Sequence, residues 1–282
     1  MPKIPASFCA PRAWVAPLCI ALLAGCQTPT EHALAFARDR GVRTSIELGA
    51  GFRHEIFEVP SPERAELLVL LEGDGSPWQP GGAHVAADPT PRHPLMLQIL
   101  ARAPMPAIYV GRPCYFETRA DPGCTPELWT AARFSEGVVA SLALVINRYV
   151  EHGGFERVIL AGHSGGGTLA VLVAPRVPRA AAVVTLSADL DTAEWTRLHG
   201  YLPLDQSLNP ADLPPLSERI AEWHAVGDRD RNVPPAINSR YFRRLPPDRV
   251  LHFPQADHAC CWKKIWPDIL AKARANMSGK SR

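Results

Sequence analysis

Val158-Ile159-Leu160-Ala161-Gly162-His163-Ser164-Gly165-Gly166-Gly167-Thr168-Leu169-Ala170 is the stretch that decides the fold. Four apolar residues run into G-x-S-x-G, and small residues able to start a helix follow at once. A chain that turns from strand to helix this sharply crowds its own backbone. Gly162 and Gly166 stand where a β-carbon would press on a neighbour, and Ser164 is driven into a strained conformation with its hydroxyl above the strand end. The helix start behind it presents unpaired N–H groups, so the Gly165 N–H is a candidate donor to an oxyanion. G-x-S-x-G alone is common by chance. Between a strand and a helix it reads as a nucleophile elbow made of Gly162, His163, Ser164 and Gly166.

Apolar runs like the one before the elbow recur at 67–71, 107–110, 182–186, 221–226 and 250–253. Unbroken apolarity at strand length marks strands buried on both faces of a parallel sheet. Helical stretches separate them at 95–103, 127–150, 164–174, 236–245 and 262–277, the second with an apolar stripe through Phe134, Val138, Leu142 and Val145. Upstream, a polar helical stretch at 31–40 leads into alternating segments at 43–48 and 52–59, an antiparallel pair at a sheet edge. This alternation predicts an α/β fold over 43–282, a doubly wound, mostly parallel sheet with flanking helices. The stretch 187–217 has no strand signal and reads as a small cap or as a surface excursion.

The chain has 282 residues, 30 Lys+Arg against 28 Asp+Glu, and 46% apolar side chains, the composition of a globular protein rather than a disordered one. Its 29 prolines are scattered and read as rigid loops. There is no solenoid repeat and no metal-spaced Cys/His cluster, so no metal is expected. Lys3 and Arg12 are the only charges before position 31, and the apolar run 13–23 is too short to span a bilayer permanently, so 1–25 reads as an export signal. Leu23-Ala24-Gly25-Cys26 resembles the lipobox of bacterial lipoproteins, which implies cleavage before Cys26 and acylation of its thiol. Gln27, by resemblance to Gram-negative lipoproteins, implies anchoring in the outer membrane, facing the periplasm. Residues 26–42 are then a tether and a short helix. The mature chain would carry 28 basic and 28 acidic groups and no basic run. Nucleic acid is excluded as a partner by that balance, and membrane attachment would rest on the acyl chains.

Downstream of the elbow, 223–234 reads Trp-His-Ala-Val-Gly-Asp-Arg-Asp-Arg-Asn-Val-Pro, and Gln255-Ala256-Asp257-His258 closes the next strand. Here the chain resembles the α/β-hydrolase superfamily, from about residue 43 to the C-terminus. The order Ser, Asp, His is that family's, and its G-x-x-D-x-x-V-P pattern falls on Gly227, Asp230, Val233 and Pro234. The resemblance implies Ser164 as nucleophile, Asp230 as acid and His258 as base. Asp228, Asp189 and Asp191 remain rival acids, while Asp257 is too near His258 in sequence to orient it. A chymotrypsin-like protease would need its His and Asp upstream in an all-β chain. The implied chemistry is acyl transfer through an acyl-enzyme, with no cofactor and a small carboxylic ester as the simplest substrate. Lipase, thioesterase and peptidase are alternatives on the same fold, and a binding lipoprotein on a hydrolase scaffold is the non-enzymatic one.

The family's second oxyanion donor comes from the loop after the 67–71 strand, which often begins His-Gly. This chain has Glu72-Gly73-Asp74-Gly75, which carries the role to the Asp74 N–H, with Gly75 as the alternative. A carboxylate at 72 opposes an oxyanion unless neutralised. Arg112 follows the neighbouring strand, so a Glu72–Arg112 pair is expected to brace the loop; the competing reading has Arg112 facing the substrate. His163, at the variable position of the elbow, is expected to be structural, and Trp78, Tyr115 and Trp129 are candidates for lining the pocket or for plain packing. Without Cys9 and Cys19 of the signal and acylated Cys26, four cysteines remain, an even count that suggests bridges in an exported chain. Cys114–Cys124 with Cys260–Cys261 closes the shortest loops. The first bridge is worth about 3 kcal/mol by chain entropy. The second joins α-carbons about 3.8 Å apart, below the usual disulfide range, and has a free buried thiol pair as its alternative.

Overall fold

The computed structural model describes residues 27–278. The expected export signal over 1–25 and Cys26 lie outside the described residues. Eight strands, β1 (Arg43–Leu48), β2 (Arg53–Val59), β3 (Glu66–Leu71), β4 (Ala107–Val110), β5 (Arg157–His163), β6 (Ala180–Leu186), β7 (Ala221–Gly227) and β8 (Val250–Phe253), form one sheet. Their order is β1-β2-β4-β3-β5-β6-β7-β8. β1 and β2 are antiparallel, as are β2 and β4, and the other neighbours are parallel. The winding reverses at β3, and in such a sheet the crevice for a ligand opens beyond the carboxyl ends of the strands at that point. Register pairs Leu71 with Gly162, so the end of β3 and the glycine-rich turn after β5 flank that crevice.

Among the described residues seven helices flank the sheet: α1 (Pro29–Arg38), α2 (Leu95–Leu100), α3 (Glu136–Gly153), α4 (Gly165–Val173), α5 (Thr192–His199), α6 (Ser239–Phe242) and α7 (Trp262–Ser278). Alternate strand residues feed two cores, as the period of two requires. Leu68, Leu70, Ile159 and Ala161 pack with α1, α2 and α7. Leu67, Val69, Val158 and Leu160 pack with α3 and α4. This is why 67–71 in β3 and 158–161 in β5 are apolar at every position.

Three helices differ from the expected stretches, and α2 ends at Leu100 rather than at 103. The 127–150 stretch splits into a 3-10 turn at Pro126–Trp129 and α3, which starts only at Glu136 because Ser135 caps it, its hydroxyl accepting from the Val138 N–H at 3.4 Å. The 236–245 stretch holds a 3-10 turn and the one-turn α6, hemmed between Pro234-Pro235 and Pro246-Pro247. The segment 187–217 carries α5 and then runs over the carboxyl edge of the sheet, where 200–204 borders the crevice. Cys114 and Cys124 are bonded with α-carbons 5.5 Å apart, pinning the loop after β4. Cys260 and Cys261 are bonded too, and Cys260 is exposed rather than buried.

Candidate active site

Ser164 sits between β5 and α4 with φ 51° and ψ −130°. Its N–H donates to the Leu186 carbonyl at 2.9 Å, tying the turn to β6. A β-carbon on Gly162 would lie 2.2 Å from the Gly166 carbonyl carbon, and one on Gly166 would lie 2.1 Å from the Leu71 oxygen. No side chain fits at either position without moving backbone, so the turn is glycine-dependent at both.

His258 lies in the turn after β8, with Nε2 3.0 Å from Ser164 Oγ and Nδ1 2.8 Å from Asp230 Oδ2. Asp230, buried in the loop after β7, has its other oxygen saturated by the N–H groups of Asn232 at 2.9 Å and Val233 at 2.8 Å. Burial pushes its carboxyl up, but the His258 hydrogen bond and charge outweigh that and hold it below the ordinary carboxylate value. The rival carboxylates are engaged elsewhere or lie apart. Asp228 is 2.8 Å from His252 Nδ1, Asp191 caps α5 and binds Arg240, and Asp257 accepts the N–H groups of Ala259 and Cys260. Asp189 lines the crevice, buried, and its Oδ1 finds no hydrogen-bond partner among the described residues; burial and then the Asp74 charge push its carboxyl well up.

Three contacts around His258 left no sign in the sequence. His163 points its Nε2 at the His258 carbonyl, 2.6 Å away, and the two rings lie 5.0 Å apart. Burial, and next the His258 charge, lower the His163 pKa to about 4, so the ring is neutral and Nε2 donates. Trp262 Nε1 donates to the same carbonyl at 3.2 Å. Asn232 brings Nδ2 within 3.1 Å of His258 Nε2, sharing that nitrogen with Ser164.

The loop after β3 faces the elbow. A β-carbon on Gly73 would be 3.4 Å from Ser164 Cβ, and one on Gly165 would be 1.9 Å from Asp74 Oδ1, so the segments bearing the Asp74 and Gly165 N–H groups touch. The expected Glu72–Arg112 pair does not form. Arg112 is buried behind the loop, outside the crevice lining; its Nη2 lies 2.7 Å from Asp74 Oδ1, and its Nε donates to the Glu72 carbonyl at 3.3 Å. The Glu72 carboxyl turns inward to accept the N–H groups of Met96 at 2.8 Å and Gly73 at 3.2 Å, because the start of α2 offers unpaired donors there. Burial lifts it to about 7. Arg133, which the sequence did not single out, donates to Asp74 Oδ2 at 2.6 Å, and the Tyr115 hydroxyl donates to the Asp74 carbonyl at 2.9 Å. Burial raises the Asp74 carboxyl, but Arg133 and then Arg112 outweigh it and keep the group ionised. Two guanidiniums thus offset the one carboxylate set against the elbow.

The crevice above Ser164, His258 and Asp74 is a cleft of about 1010 Å³, lined among others by Trp78, Trp195 and 200–204. Tyr115 and Trp129 are buried and outside its lining. Among the described residues no three His, Cys, Asp or Glu side chains gather as a metal site.

No protein-family profile and no curated protein matches the chain. Solved structures do. An esterase from Pyrococcus furiosus aligns at TM-score 0.56 and 12% identity over 85% of this chain and 92% of its own. A bacterial membrane phospholipase A aligns at TM-score 0.55 and 15% identity over 87% and 92%, and a protein of unknown function from Agrobacterium tumefaciens at 0.54 and 12% over 84% and 98%. At these identities the likeness shows the fold and nothing more: the chain has the α/β-hydrolase fold.

Proposed function

We propose that this chain is a serine hydrolase of carboxylic esters, exported and anchored in the cell envelope by acylated Cys26. The observation that carries the reading is the hydrogen-bonded chain from Ser164 Oγ through His258 to Asp230. Asp230 keeps the proton of the neutral ring on Nδ1, which leaves the Nε2 lone pair facing the serine. His258 takes the Ser164 proton as Oγ attacks the ester carbonyl, and Asp230 stabilises the resulting imidazolium. The Gly165 and Asp74 N–H groups receive the oxyanion, and the start of α4 adds its dipole. His258 then returns the proton to the leaving alcohol, and water, deprotonated by the same ring, releases the acid. No step calls for a cofactor. The Cys26 anchor rests on the lipobox pattern alone.

A fluorophosphonate probe tests the nucleophile without prior choice of ester. Intact mass should gain one phosphonyl group on folded chain and none on Ser164→Ala or heat-denatured protein. Folded protein that stays unlabelled overturns the reading in favour of a binding lipoprotein on a hydrolase scaffold.

A further inference from the structure

The cleft mouth is unusually apolar for a water-facing surface. Leu202 is 87% exposed, Tyr201 55% and Trp78 46%, and all three border the cleft. The other large exposed side chains of the lining are Arg92 and His93, and no exposed residue of the lining carries a carboxylate. Aromatic rings, a bare leucine and a cation on one rim have the composition that settles at the headgroup level of a bilayer.

The same rim is fastened to the start of the described chain. Thr30, in the first turn of α1, donates its hydroxyl to Asp88 Oδ2 at 3.1 Å and lies 3.2 Å from Thr90 Oγ1. Between those two, the Pro89 carbonyl accepts the Ser76 N–H at 2.9 Å, Trp78 pairs with Val85 as a β-bridge, and Pro91, Arg92 and His93 continue directly into the cleft wall. A β-carbon on Gly75 would lie 2.1 Å from the Pro89 oxygen, so the two strands of this loop are in direct contact. Cys26 precedes Thr30 by four residues, which span at most about 14 Å. A lipid on Cys26 therefore holds the cleft rim close to the bilayer surface.

We propose that the cleft mouth is a membrane-contact surface. Trp78, Tyr201 and Leu202 rest in the interface of the anchoring bilayer, and the ester cleaved is carried by a lipid of that bilayer. This rests on the ester-hydrolase reading and on acylation of Cys26. Ser164 Oγ bonds the carbonyl carbon of the lipid acyl group, the lipid alcohol leaves with the His258 proton, and water releases the acyl group as a fatty acid.

The orientation is read without turnover. The full acylated chain carrying Ser164→Ala is placed in phosphatidylcholine–phosphatidylglycerol vesicles with brominated acyl chains, and intact mass verifies Cys26 acylation on the same sample. Tryptophan fluorescence should be quenched, and most of the quenching should vanish on adding Trp78→Phe. The substrate is read with active chain. Leu202→Asp should cut hydrolysis of a vesicle-borne diacylglycerol about 10-fold relative to a water-soluble butyrate ester, the effect of withdrawing one leucine from an apolar phase. Quenching indifferent to Trp78, or an unchanged ratio of the two esters, overturns the proposal. Loss of both hydrolyses in the unsubstituted chain overturns the hydrolase reading instead, while the quenching still reports which face meets the bilayer.

Discussion

The elbow and the loop after β3 face each other across the same cleft and are built by opposite means. The elbow is local: two glycines, a strand end and a helix start within six residues leave the Ser164 backbone one conformation. The loop is assembled from afar. Asp74 is held by Arg112 after β4, Arg133 before α3 and Tyr115 beside the Cys114–Cys124 bridge. The exclusion at Gly162 comes from its own turn and that at Gly166 from the adjoining strand end at Leu71, whereas charge balance at Asp74 needs side chains from several separate loops.

The contrast breaks most sharply at the nucleophile. Ser164→Ala should reduce ester hydrolysis by on the order of 10⁴-fold or more with little change in melting temperature, measured on any ester the labelled enzyme accepts. A Gly166→Val chain should fail to fold, since its side chain would enter the Leu71 carbonyl. On the loop side, Asp74→Ala leaves two buried guanidiniums without their shared carboxylate. It should cost about 3–5 kcal/mol in denaturant unfolding and, through a misplaced N–H donor, about a hundredfold in kcat. A double-mutant cycle sharpens this: Asp74→Asn with Arg112→Gln should couple by about 1–3 kcal/mol, while Glu72→Gln with Arg112→Gln should be additive to within about 0.5 kcal/mol.

Glu72 gives the loop a pH signature opposite in sign to that of His163 in the elbow, whose pKa is lowered rather than raised. Its folded carboxyl titrates at about 7 because burial disfavours the charge, against 4.5 for the ordinary group. The folded state therefore holds the extra proton between those values, and this group's contribution falls as pH rises from about 4.5 to 7. Glu72→Gln removes that dependence. Its unfolding free energy relative to the unsubstituted chain should improve by roughly 3 kcal/mol from pH 4 to pH 8. Smaller again is His163→Leu, which removes the donor to the His258 carbonyl. It should lower kcat about 10-fold and leave KM nearly unchanged, because the base is loosened and the cleft is not. Tyr115→Phe should cost about 1 kcal/mol, one hydrogen bond to the Asp74 carbonyl.

The central strands were legible because burial on both faces demands unbroken apolar runs, and β4 begins and ends where that pattern does. Helix limits were less so. Ser135 competes as a cap inside what periodicity reads as one helix, and propensity alone does not say which signal prevails. In the candidate site, Ser164, Asp230 and His258 stand out by motif and order, and they lie within hydrogen-bonding reach of one another. Arg133, His163 and Asn232 do not stand out, since nothing in an isolated Arg, His or Asn states which distant group it will meet.

The amino-acid sequence by itself determined the doubly wound sheet and the elbow, because both are signalled within a few residues: by periodic burial and by glycines at fixed places around the serine. Only the tertiary structure decided that Arg112 pairs with Asp74 and that Glu72 turns inward to the start of α2. It also decided that the loop carrying Trp78 is clamped to the N-terminal turn of α1. Those choices compare the desolvation of several charges over the whole assembled interior, and a carboxylate finds its lowest free energy only when every competing partner is in place.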